Sequence, residues 1–429
     1  MVSVRHLRLV FLVISVSGYL SLVAAVEARD VSGALEGAVR WTKAESPYRV
    51  VSSVLVPEDA ELVMEPGVRV QFSRGVGMVV RGRLEAEGSA EDPIVWERET
   101  KADPWGAVVY DSARGGVLRH VVVDGATTGG QNRIGMVSIY RCSASILIEN
   151  CTFSNWPGGL GYTAVDAHES ADVTVRHCRF LEGENEAVYG IRSPVVVEGC
   201  LFHPRSGYCD AIDVSNNKLP DPVPRILNNT FLGSEDDAID LDDCDAFVDG
   251  NLVMKCRGGT HDPIGISGDA GSRPILINNI IIDCESGIGF KNGADILVVN
   301  NTIIDCDRGI WMHQNPAHAT VINTIIWGRP EQVSIVLEPG STIDVKTSVF
   351  RGDAVYPGEG NLNLDPRFVG PEAGDYHLLP DSPCIDVGTR ERVPGTDYEG
   401  NLRPQGAGID IGAYEYVRPP TRILRWTWW

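Results

Sequence analysis

The feature that most constrains this chain is one short pattern that recurs every 22 to 29 residues. Aligning on the apolar residue that closes each "N-x-[FIV]"-like segment gives Phe153, Phe180, Phe202, Phe231, Val253, Ile281, Ile303, Ile325 and Phe350. The spacings are 27, 22, 29, 22, 28, 22, 22 and 25. A fixed minimum with variable additions is what a coiled chain with constant rungs and elastic loops produces. Two residues before the anchors stand Cys151, Cys178, Cys200, Asn229, Asn251, Asn279, Asn301 and Asn323. Asparagines stacked in one column can hydrogen-bond from rung to rung at an inward turn. Cys256, Cys284 and Cys306, three residues after their anchors, form a second column.

Each rung also carries a short strand: "TAVDA" (163–167), "EAVYG" (186–190), "DAIDV" (210–214), "DAIDL" (237–241), "IGISG" (264–268), "SGIGF" (286–290) and "RGIWM" (308–312). Period-two alternation predicts that the third and fifth positions point inward and the second and fourth face solvent. Short β-branched strands, Asn/Gly turns and this period resemble the right-handed parallel β-helix of pectate-lyase-like proteins. The resemblance implies an all-β, single-stranded solenoid with N-terminal and C-terminal caps, its repeats covering roughly residues 50 to 350.

The segments divide as follows. Arg5 and Arg8 precede an apolar run, Leu9 to Val26, and small residues at Ala24, Ala25 and Ala28. This order reads as a secretory signal over 1–28, with a membrane anchor as the alternative. Residues 29–100 read as an N-terminal cap and first rungs, because a solenoid must cover its open end. Residues 101–355 are the helix repeats. Residues 356–418 contain "DYHLLPDSPCIDVG" and "GIDIGAYEY", which resemble a C-terminal module common on secreted bacterial β-helix proteins, implying a cap or an attachment region. There Asp386, Asp397 and Asp410 suit either an ion or, by preference, turn chemistry. A Trp-rich tail spans 419–429, and the protein is expected outside the cytoplasm: secreted, periplasmic or on the cell surface. Export permits disulfides among the ten cysteines, yet their stacked register favours buried thiols; a Cys284–Cys306 bridge is the alternative. With 37 Lys+Arg against 58 Asp+Glu, the net charge is −21. That balance argues against nucleic acid as a partner. No segment after the signal is long and apolar enough to span a bilayer.

The acidic excess concentrates on two successive rungs, "CDAIDV" (209–214) and "EDDAIDLDDCD" (235–245). Asp210 and Asp237 share a strand-entry position, and Asp213 and Asp240 share an outward one. Asp236 adds a carboxylate just before the strand, Glu235, Asp242 and Asp243 lie close, and Asp166 extends the outward column. Two like charges about 5 Å apart cost on the order of 3 kcal/mol at an effective dielectric near 20, so protonation or a bound cation must relieve them. An all-oxygen donor set selects a hard ion, and Ca²⁺ fits better than Mg²⁺. A solvated acidic face is the alternative.

"DDAIDL" resembles the DDGFD-type calcium motif of polysaccharide lyase family nine. The resemblance assigns Asp236, Asp237 and Asp240 to a Ca²⁺ site, completed by Asp210 or Asp213. It also assigns the proton-abstracting base to Lys291, through Gly289-Phe290-Lys291 matching that family's "GFK". By register alone, Lys291 falls just past its strand. Calcium on a uronate carboxylate acidifies the neighbouring proton, and a nearby base removes it. Arg257, Arg273 and Arg308 are candidates to bind uronate carboxylates, and Trp311 to stack on a sugar. His261 and His313 read as turn or surface residues. Three functions stay open: a calcium-dependent lyase acting on an acidic polysaccharide, a non-catalytic binder of glycan or calcium at the cell surface, and a glycoside hydrolase using an aspartate pair.

Overall fold

The computed structural model describes residues 28–418, apart from 129–133, 157–161, 182, 205, 208 and 261. The tail 419–429, His261 and all of the signal segment but Ala28 lie outside the described residues. Within them the chain winds into a parallel solenoid. A 25-stranded sheet supplies two of its faces and a 13-stranded sheet the remaining one. Each rung of the repeat region therefore carries three short strands, as in Ile239–Cys244 on face one, Phe247–Asp249 on face two and Leu252–Met254 on face three. Winding starts at once: Arg29–Ala34 pairs in parallel with Tyr48–Val56, and Ala38–Trp41 with Glu61–Met64.

The interior is built from identical positions stacked on successive rungs. Val165, Val188, Ile212, Ile239, Ile266, Ile288 and Ile310 pair in sequence and are fully buried. Phe153, Phe180, Phe202 and Phe231 stack ring on ring at 5.2, 4.9 and 4.6 Å. The third and fifth strand positions do point inward. The second positions differ from expectation: Ala211 and Ala238 are buried, because the strand begins one residue later and this position lies at the corner. Asp166 is buried too, covered by hydrogen bonds from Ser138 Oγ and the Ile134 amide.

At the corner between faces two and three, one residue per rung takes a left-handed φ: Asn228 (54°), Gly250 (67°), Asn278 (51°), Asn300 (52°) and Asn323 (49°). Asparagine and glycine tolerate that region where other side chains are strained. The next residue points inward and forms the ladder. Asn229 Nδ2 donates to Asn251 Oδ1 at 3.0 Å, Asn251 to Asn279 at 2.9 Å and Asn279 to Asn301 at 3.0 Å. The column then passes to Thr324 and Ser348, not to Asn323. Ile303 pairs with Ile326, so the anchor is Ile326 and not Ile325. Asn323 is a corner residue, and its amide binds Thr389 of the C-terminal module.

All ten cysteines are buried free thiols, and Cys284 and Cys306 are not bridged. The last rung is closed by residues 356–362: Tyr356 packs on the core, and Asn361 Oδ1 accepts the Ser348 amide. The rest of the C-terminal module runs along the flank of four rungs. Asn278, Asn300, Thr302 and Asn323 bind its backbone, and Ile304, Ile325 and Val349 pack on Ile411, Ala413 and Tyr414. No helix among the described residues is long and apolar enough to cross a membrane.

Candidate functional site

Strand pairing on face one aligns the outward side chains into two columns. The first runs Asp166, Tyr189, Asp213, Asp240, Ser267, Gly289, Trp311. The second contains Ser215, Asp242 and Asp269, then Lys291 and His313. Lys291 is thus the last residue of its strand, Ser286–Lys291, rather than a residue beyond it. Its Nζ lies 3.8 Å from Asp269 Oδ2, which bridges the acidic rungs to the lysine.

Both columns open into a cleft of about 500 Å³. Its acidic end is lined by Asp210, Asp213, Asp236, Asp237, Asp240 and Asp242, with Glu186 and Asp262 at its sides. Lys291, Trp311 and His313 line the other end. Between them the floor is formed by Ser267, Gly289 and Ile264; a Cβ on Gly289 would sit 2.7 Å from Ile264 Cδ1, so the isoleucine side chain covers the glycine.

Few donors serve these carboxylates. Asp210 Oδ1 accepts the Asp237 amide (3.1 Å), Asp237 Oδ1 the Ile264 amide (2.7 Å), and Asp240 Oδ1 the Leu241 amide and Ser267 Oγ (both 2.9 Å). Burial, followed by the charge of Asp240, pushes Asp210, Asp213 and Asp237 well above the usual carboxylate range. Asp242 rises to about 7, through burial and then Asp240 and Asp269. Asp240 is raised less, because Ser267 and the Lys291 ammonium pull it down against burial. Like charges forced together out of water favour the neutral acid unless a cation joins them.

The donor set fits such a cation. One carboxylate oxygen each from Asp210, Asp236 and Asp237 lies within 4.8 Å of the others, about twice a Ca–O bond of ~2.4 Å. Asp213 and Asp240 stand on the same two rungs, three residues beyond Asp210 and Asp237 and paired with each other.

The other candidates separate. Arg308 borders the cleft, but its guanidinium lies 3.9 Å over the Trp311 ring and binds Asp262 at 3.2 Å. Arg257 is held by Asp283 and Asp307, and Arg273 by Asp245; neither lines the cleft. Trp311 lines it with 8% of its surface exposed, stacked on His313 at 3.8 Å. His313 is not at a turn or on the surface. It is buried, and burial and the Lys291 charge lower its imidazole to about 4. Its i+2 relation to Trp311 was the available signal. Glu186 stands at the strand-entry position of Asp210 and Asp237 one rung earlier, so the repeat was the signal that could have found it, whereas Asp262 lies in a loop, which strand spacing does not place. In the module, Asp397 accepts the Glu399, Asn401 and Glu415 amides, Asp410 those of Asp386 and Tyr416, and Asp386 that of Gly408.

The family described as right handed beta helix region matches residues 119–261 and 210–358, more than half of the chain. The chain belongs to the right-handed β-helix family. No curated protein sequence matches it. Solved structures similar to this β-helix include the pectate lyase Pel9A, at 13% identity over 84% of this chain and 88% of that one, with a TM-score of 0.47. A PL6 family polysaccharide lyase from Pseudopedobacter saltans is 11% identical over 71% and 92%, with a TM-score of 0.37. The A-module of a mannuronan C-5 epimerase from Azotobacter vinelandii is 11% identical over 66% and 86%, with a TM-score of 0.30.

Proposed function

We propose that this β-helix protein is an exported, calcium-dependent polysaccharide lyase that cleaves a uronate-containing glycan by β-elimination. The observation that carries this reading is that the carboxylate cluster and Lys291 line one cleft. Asp210, Asp236, Asp237 and Asp240, with Asp213 beside them, would hold the cation. Bound there, Ca²⁺ would neutralise a uronate carboxylate and so acidify the proton on the adjacent carbon. Lys291 Nζ takes that proton. The C–H electron pair becomes the new C=C bond, the C–O bond to the next sugar breaks, and the leaving oxygen gains a proton from water. Asp269 beside Lys291 orients the lysine side chain toward the floor. Arg308 steadies Trp311 at the rim.

A non-catalytic calcium or glycan binder at the cell surface is the second reading; the Asp269 carboxylate 3.8 Å from Lys291 Nζ favours it by engaging the lysine in an ion pair. The hydrolase reading is weaker. The cluster's oxygens lie within 4.8 Å of one another, closer than the ~6.5–9.5 Å an inverting pair requires. The deciding experiment is a calcium titration followed by ultraviolet absorbance on a panel of uronans. An unsaturated product that Asp237→Ala and Lys291→Ala both abolish establishes the lyase. Calcium bound with no product on any glycan leaves the surface binder.

A further inference from the structure

We propose that the cleft takes a heteroglycan in which the reacting uronate is flanked by neutral sugars, rather than a homopolymeric uronan. The inference rests on the lyase reading and adds its substrate class. Adjacent rungs stand ~4.8 Å apart, comparable with the length of one pyranose. A glycan lying along the solenoid axis therefore sets about one sugar over each rung. From Asp213 to Trp311 the first column spans five rungs. A homopolymer would bring a carboxylate to each.

The lining opposes that. Among the described residues it holds eight carboxylates against one lysine, Lys291, and no arginine. Neighbouring basic side chains are already engaged: Arg308 by Asp262, Arg257 by Asp283 and Asp307, Arg273 by Asp245. A cation on the aspartates and Lys291 can receive one uronate carboxylate, and additional ones meet uncompensated negative charge.

The far end is built for a neutral group. Ile264 covers Gly289 and makes the floor there apolar, and Trp311 and His313 end the cleft as a stacked pair. His313 is 4% exposed, and its Nδ1 has no hydrogen-bond partner among the described residues. The ring as a whole lines this end of the cleft. A neutral imidazole exchanges hydrogen bonds with a sugar hydroxyl and offers a carboxylate no charge; burial keeps His313 in that form.

The test compares initial ultraviolet rates of the calcium-loaded full chain on four polymers. Polygalacturonate and alginate carry a carboxylate on every sugar. A backbone of alternating galacturonate and rhamnose, and deacylated gellan, carry them between neutral sugars. The expected result is a kcat/KM at least about tenfold higher on a heteroglycan than on either homopolymer. In the Lys291→Ala background, calorimetry should show heteroglycan affinity falling about tenfold on adding His313→Ala. Equal or faster turnover of a homopolymer overturns the inference and leaves the lyase reading intact. Heteroglycan binding without any product overturns the lyase reading and keeps the selectivity. Neither product nor binding on any polymer overturns both.

Discussion

The cleft and the C-terminal module are both rich in aspartate, and they use it in opposite ways. In the module Asp386, Asp397 and Asp410 are turned onto backbone. Asp397 accepts three amides, and Asp410 ties Asp386 and Tyr416 into one knot beside the fully buried Arg403–Glu415 pair. Burial raises Asp410 only to about 6, since the Tyr416 and Asp386 amides oppose it. In the cleft, Asp210 and Asp237 accept one amide each, and both are pushed well above the usual range. Partnered carboxylates hold a fold together, whereas crowded and under-partnered ones keep free energy available for a ligand.

That contrast can be broken by experiment. The proposed lyase reaction gives the largest expected effect: Lys291→Ala should lower the rate of unsaturated product about 10²–10⁴-fold while calcium affinity, read by calorimetry, stays close to wild type. On the structural side, Arg403→Met leaves the Glu415 charge buried and unpaired. It should cost about 3–5 kcal/mol of unfolding free energy in urea, with calcium affinity unchanged; a loss of calcium binding would mean that the two regions are not separate. Asp237→Asn should weaken calcium about 10-fold or more, yet leave the calcium-free protein as stable as wild type or more so, because it removes a crowded charge.

The smallest and most diagnostic effect is on pH. Burial and its neighbours push Asp242 up to about 7 in the folded chain from the ordinary 3.8, and Asp210, Asp213, Asp237 and Asp240 shift the same way. The folded chain then binds more protons than the unfolded one, so calcium-free stability should fall as pH rises from about 4 to about 7. His313, lowered from 6.5 to about 4, acts oppositely but is one group against five. Saturating calcium should flatten the slope. A calcium-free protein whose stability rises across that window would contradict the cleft's assigned electrostatics.

Much of the solenoid was readable because each rung must place the same residue type at the same inward position; the Ile212–Ile239 and Phe202–Phe231 registers follow directly from spacing. The slip at Ile325 has a local cause. A corner asparagine, Asn323, stands where a ladder asparagine was expected, and the ladder is carried on by a threonine. The aspartates were legible for the same reason as the core, since all five lie on two adjacent rungs. Lys291 joined them only through the strand extending to its last residue. Arg257 and Arg273 are engaged by Asp283, Asp307 and Asp245, pairings across rungs that composition does not reveal. The module's place along the flank depends on Asn278, Asn300 and Asn323 meeting residues 110 or so positions away, or 66 at least.

The asparagine ladder has a further consequence. From Asn229 to Asn279 each amide gives one Nδ2 hydrogen to the Oδ1 of the next asparagine and another to a carbonyl of the preceding rung, so the three amide-to-amide links, which end at Asn301 Oδ1, all run head to tail in one direction. Bonds in such a chain polarise one another. The ladder thus has a direction along the solenoid axis, and reversing one link would oppose the others.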